Sequence, residues 1–152
     1  MILAIKTNQD PAEIYLLAAD GSVVAEKKWD AGRTLAKNLL GEVEQLVIAS
    51  ETKQSSNNRL GCHGNKLPLG DKKSVFSSLS GVIVFRGPGS FTGLRIGITT
   101  ANAIAYGQEI PIVGANGDDW LANGLKKLAD GQNDKIIMPE YGAPPHITKP
   151  KK

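Results

Sequence analysis

Between Thr92 and Gly107 this chain carries a single charged residue, Arg95. That stretch comes after a continuous apolar run, Gly81-Val82-Ile83-Val84-Phe85, and a glycine-rich loop, Arg86-Gly87-Pro88-Gly89-Ser90-Phe91. An apolar run of this length suits a strand covered on both faces. Stepping ~100° per residue along the stretch after the loop, Leu94, Ile98, Ala101 and Ala105 share one helical face, and Gly93, Ile96, Gly97, Thr100 and Ile104 share a second. A helix that is apolar most of the way round has to be covered twice, once by a sheet and once by another helix. The second cover is either the helix expected at 31–49 of the same chain or the helix of a partner.

The elements around this unit predict the fold class. Residues 1–6, 14–19 and 22–29 read as strands of an antiparallel meander, with Asp20-Gly21 as a tight turn. From Asp30, read as an N-cap, the period changes: Leu35, Leu39, Val43, Leu46 and Val47 fall on one face of a helix reaching about Ala49. Residues 51–74 lose all periodicity and read as an inserted polar loop, mobile and dispensable for the fold. A short helical turn at 75–79, the strand at 81–85, the helix at 92–107, a strand at 110–113, a helix at 118–129 and a last strand at 135–138 complete the series. Three antiparallel strands followed by parallel strands alternating with helices predict an α/β chain, an RNase H-like or actin-like half with a mixed sheet. It is expected to be one domain over 1–138, with 139–152 as a C-terminal tail and Tyr141 and Pro144-Pro145 packed on the sheet edge.

Composition narrows the function. With 152 residues, 41% hydrophobic and 22% charged, the chain matches one globular domain. One cysteine, Cys62, excludes a disulfide framework and a four-cysteine zinc site and fits a reducing cytoplasm. Cys62-His63 is expected at the surface, with no third metal ligand near in sequence. The apolar start, Met1 to Ile5, is broken by Lys6 and has no basic segment before it, so no signal peptide is expected, and no run approaches the ~18–20 residues of a membrane span. The net charge of +3 is concentrated in residues 51–100, with seven Lys or Arg against two Asp or Glu. Without interleaved aromatic residues, that basic third reads as solvated surface rather than as a stand-alone RNA-binding module.

The loop itself has two readings. Gly87, Pro88, Gly89, Ser90, Thr92 and Gly93 lie between a strand and a helix, where free helix N–H groups and close backbone approach can hold a phosphate. Equally, Gly87 and Gly89 can make the turn while Ser90 or Thr92 caps the helix. It is neither a Walker A loop nor a dinucleotide fingerprint. Asp118 and Asp119 open a helix, where its dipole favours them.

Gly87-Pro88-Gly89-Ser90-Phe91-Thr92-Gly93-Leu94-Arg95-Ile96-Gly97 resembles the TsaB (YeaZ) family, as do Ala101 to Tyr106, Ile110 to Gly114, Ile2 to Thr7, and Arg33 with Leu39-Leu40. Ser90-Phe91-Thr92 resembles TsaB more than its catalytic relative TsaD, whose paired metal-binding histidines have no counterpart beside the isolated His63 and His146. The resemblance covers most of 1–49 and 81–115. It implies a non-catalytic actin-like scaffold that pairs with TsaD and, with the ATPase TsaE, forms threonylcarbamoyladenosine next to the anticodon of tRNAs reading codons that begin with A. The tRNA is then met through the complex, with no catalytic residue, metal or cofactor in this chain. Since the family's two N-terminal helices build its subunit interface, the interface residues it implies are Arg33, Leu39, Leu40, Gly93, Arg95, Ile96, Gly97, Thr100 and Ile104. Homodimerisation of the chain alone stays open.

Departures from the family pattern are local. The family's Asp-Thr-Ser at the end of the first strand is Lys6-Thr7-Asn8, and a lysine cannot position magnesium-bound water as an acid does. The proline after Leu39-Leu40 is Gly41. Pro139-Glu140-Tyr141 looks like the family's closing Pro-x-Tyr without its Arg, and the chain leaves little length for the family's second domain. Lys6 argues against the rival reading, a nucleotide-dependent enzyme using 87–97 as a phosphate loop.

Overall fold

Leu3, Ala4 and Ile5 have no exposed surface, which requires a strand with neighbours on both edges and layers on both faces. In the computed structural model, which describes residues 1–56 and 74–142, their strand β1 (Ile2–Lys6) is the middle of a five-stranded sheet. Its companions are β2 (Ala12–Leu17), β3 (Val23–Trp29), β4 (Gly81–Phe85) and β5 (Ile112–Ala115), in the order β3-β2-β1-β4-β5. The first three strands are antiparallel, whereas β4 runs parallel to β1 and β5 parallel to β4. β4 is buried at every position, as its unbroken apolar run requires.

Pleat alternation sorts the helices. Thr7 lies against Gly97 of α2 (Phe91–Gln108), and residues alternating with it, Leu3 and Ile5, point the same way. Helix α1 (Leu35–Ser56) packs beside α2. Ala4 belongs to the other face, where its partner Ile83 meets Gly124 of α3 (Trp120–Ala129). There Trp120 packs edge-on against Tyr15 and Phe85, with ring centroids 6.1 and 5.9 Å apart. Among the described residues no helix is long and apolar enough to cross a membrane.

The structure corrects several expectations. Asp30 caps nothing: the buried Ala31 precedes a 3-10 turn at Gly32–Thr34, and only then does α1 begin. The helix also continues past Ala49 to Ser56, through residues that include the good helix formers Glu51, Lys53 and Gln54. Pro111 has no N–H for a ladder, so β5 starts at Ile112 rather than 110. Residues 135–138 form no strand. Lys135 has a φ of 61°, a left-handed turn that bends the chain out of extended geometry just where a sixth strand was expected. The rest of the 51–74 loop, Cys62-His63 and the tail beyond Gly142 lie outside the described residues.

The second face of α2 is largely internal. A Cβ at Gly93 would overlap the Thr7 carbonyl oxygen, and one at Gly97 would overlap Thr7 Oγ1. Thr7 Oγ1 donates to the Gly93 carbonyl at 2.8 Å, so strand end and helix are bonded as well as packed. These glycines are therefore occupied by the chain itself, and the partner-facing role expected for them gives way to contact with β1. Gly97→Leu should destabilise the fold by about 1–3 kcal/mol through overpacking, measured by urea unfolding. An unchanged midpoint would contradict this packing.

Candidate functional site

The glycine-rich loop joins β4 to α2 by packing on the end of β1. The Ser90 amide donates to the Asn8 carbonyl at 2.6 Å, and a Cβ at Gly89 would collide with Asn8. Ser90 is the N-cap of α2: its hydroxyl accepts from the Gly93 amide at 3.4 Å, and its carbonyl accepts from the Leu94 amide at 2.9 Å. Gly87 has a φ of 133°, and the Glu140 carbonyl oxygen occupies the space where a Cβ would stand. Both glycines are thus required by neighbouring backbone, and Ser90 fills the capping role that the sequence allowed for it.

Beside the loop, Thr7, Asp10, Gly32, Leu35, Ser90, Thr92, Gly93 and Ile96 line a cleft of about 110 Å³. Small-molecule sites usually measure ~300–1,000 Å³, so this volume suits a few waters or a small ion rather than a nucleotide. Lys6, where the family pattern has an acid, points to the α3 face with Nζ 5.4 Å from the Phe85 ring centroid. Among the described residues no three His, Cys, Asp or Glu side chains gather as a metal ion would need.

The implied interface residues separate into two groups. Leu39 and Ile104 are buried, like Gly93 and Gly97, and belong to the core. Arg33, Leu40 and Arg95 are exposed, while Ile96 and Thr100 are half-buried. Between α1 and α2 an open groove of about 390 Å³ is lined by Ala36, Leu40, Phe76, Thr100, Ala103 and Ile104, among others. Arg95 sits at the start of α2 with its guanidinium carbon 3.8 Å from the Phe91 ring centroid, and its Nε donates to the Tyr141 hydroxyl at 2.7 Å.

Tyr141 therefore packs on the first turn of α2, its ring centroid 4.4 Å from that of Phe91, and not on the sheet edge as expected. It belongs to a feature that sequence patterning did not reveal, a strap of residues 133–142. Asn133 Oδ1 accepts from the Ile112 amide at 3.3 Å, Asp134 Oδ2 accepts from the Gly114 amide at 3.0 Å, and the Asp134 amide donates to the Ile112 carbonyl at 2.9 Å. The Asn102 side chain then bonds both the N–H and the C=O of Ile137, each at 3.0 Å. The only sequence signals were Asn133-Asp134 as turn formers and an Asn on an otherwise apolar helix.

A sheet ordered β3-β2-β1-β4-β5, with three antiparallel and then two parallel strands and helices on both faces, defines an RNase H-like, actin-like unit. The family model of TsaD, described as tRNA N6-adenosine threonylcarbamoyltransferase, matches residues 69–138. The chain is 37% identical over 76 residues to the tRNA threonylcarbamoyladenosine biosynthesis protein TsaB of Bacillus subtilis, covering 49% of this chain and 31% of that protein. Against the Escherichia coli protein of the same description it is 51% identical over 65 residues, covering 37% and 28%. The solved structure of YeaZ from Pseudomonas aeruginosa superposes with a TM-score of 0.53 at 22% identity, over 76% of this chain and 43% of that one. The chain is similar to these TsaB (YeaZ) proteins and spans about three-tenths of the length of the two curated relatives.

The two bonds from Asn102 hold the strap to α2. Asn102→Ala should lower stability by about 1–3 kcal/mol, since it leaves the Ile137 backbone groups unpaired. Hydrogen exchange at the Ile137 amide should accelerate in step, and unchanged protection there would contradict the assignment.

Proposed function

We propose that the chain acts in the formation of threonylcarbamoyladenosine in tRNA, as a non-catalytic subunit that seats against a TsaD-like catalytic partner in the cytoplasm. The observation that carries this reading is the groove between α1 and α2, where Leu40 is 46% exposed beside Thr100 and Ala103. Small residues on both walls let a partner helix approach closely, and Leu40 offers it an apolar anchor. Arg33, Arg95 and Ile96 supply polar and apolar contacts at the end of the same pair of helices. In this reading the TsaE-like ATPase and the tRNA engage the pair, and this chain supplies no reacting group. Lys6 supports that division of labour, because a cation at the end of β1 repels the magnesium that an actin-like ATP site needs.

The deciding experiment is co-purification of the chain with the TsaD-like protein of the same cell. Leu40→Glu should weaken association at least tenfold by placing a charge in the apolar seat, and Arg95→Glu should weaken it in a salt-dependent way. Gln132→Glu, on the far side of the sheet, should leave binding unchanged. Full-strength association of Leu40→Glu would move the interface elsewhere on the molecule.

A further inference from the structure

In open α/β sheets, ligands bind outside the carboxyl ends of the strands. Here that position over β4 and β5 is held by the chain itself. Arg86, the first residue after β4, lies across Gly114 of β5, where a Cβ would press on its Cγ and Cδ atoms. Its Nε is buried and has no hydrogen-bond partner. Its Nη2 reaches only to 3.9 Å from Glu140 Oε1. The other Glu140 oxygen accepts from Asn116 Nδ2, and Asn116 is the first residue after β5. The strap delivers that carboxylate by its backbone, since the Glu140 amide donates to the Arg86 carbonyl at 2.8 Å.

We propose that Arg86 and Asn116 form an oxyanion site at the carboxyl ends of β4 and β5, and that Glu140 closes it by standing in for the ligand. A guanidinium whose Nη2 is only distantly paired, beside a primary amide, is a donor set for a carboxylate or phosphate group. Glu140 holds Asn116 by a hydrogen bond but holds Arg86 only loosely. The ion pair is long, and its side chains are 34% and 52% exposed for Arg86 and Glu140, the setting in which ion pairs contribute little. An external oxyanion of better geometry therefore competes with Glu140, a tethered rival, for Arg86. The site is separate from the α1–α2 groove, so it stands or falls independently of the partner assignment.

The test is a titration of the full chain with inorganic phosphate at constant ionic strength, followed by calorimetry and by the shift in Tm. Glu140→Ala should bind phosphate about tenfold or more tightly than the parent, because the tethered competitor is gone. Glu140→Gln, which keeps the shape of the side chain and removes its charge, should show a gain in the same direction even if truncation to Ala loosens the strap. Adding Arg86→Gln to either variant should abolish the gain. Sodium acetate in place of phosphate separates the two ligand chemistries: a response to acetate assigns a carboxylate ligand, and a response to phosphate alone assigns a phosphate group. The proposal is overturned if both Glu140 variants bind phosphate and acetate no better than the parent, if the gain survives Arg86→Gln, or if chloride reproduces it.

Discussion

Everything in this molecule is arranged around the contact of α2 with the end of β1. Thr7 and Asn8 lie where a side chain on Gly89, Gly93 or Gly97 would have to go, and Thr7 Oγ1 is bonded to the carbonyl of Gly93. Close approach of a helix to a strand end sets the angle at which α2 leaves the sheet, and hence which of its faces is left for α1. It also fixes the loop, because the Ser90 amide is tied to Asn8 while Ser90 itself starts the helix. The glycines are spent on backbone proximity within the chain, so the groove available to a partner is defined by the neighbouring rows, with Leu40, Thr100 and Ala103 on its walls.

The strap extends the same logic to the other side of the loop. Glu140 does for Gly87 what Asn8 does for Gly89, pressing backbone against a position with no side chain. The loop is thus gripped from both sides, by the turn after β1 and by residues some fifty positions further along the sequence. Arg95 joins the two grips, bonded to Tyr141 of the strap and stacked on Phe91 at the start of α2. A change at either end therefore reaches the exposed residues of the α1–α2 surface through packed neighbours.

Much of this was legible in the residues. The unbroken Gly81 to Phe85 run specified a strand buried on both faces, and the meander before it specified the antiparallel half, so strand order came from a fold with few alternatives. The helix after the loop was legible too, including its need for a second cover. What periodicity could not assign was the identity of that cover: a face of Gly93, Gly97, Ile96 and Thr100 looks the same whether it meets a threonine of its own chain or another subunit. Asn102 and Glu140 escaped for a related reason. Their roles depend on partners 35 and 24 positions away, Ile137 and Asn116, and no local pattern encodes such pairings. The missing last strand came down to one left-handed residue, Lys135, whose side chain gives no hint of its backbone.

Asn133 and Asp134 mimic a neighbouring strand with their side chains, and so they end the sheet at β5 without adding another ladder. Among the described residues the sheet can then grow only from the β3 rim. That rim places Lys27 and Lys28 side by side, one on each face, and a register shift interrupts the pairing of β2 with β3 between Leu16 and Leu17. Lys27 is paired with Glu42 of α1, so the rim is also tied to the helical layer, and the register shift twists the edge that a second strand would have to match. The molecule is therefore polarised as a template: one rim is chemically satisfied and the other is irregular in register, a geometry that works against edge-to-edge addition of a further strand.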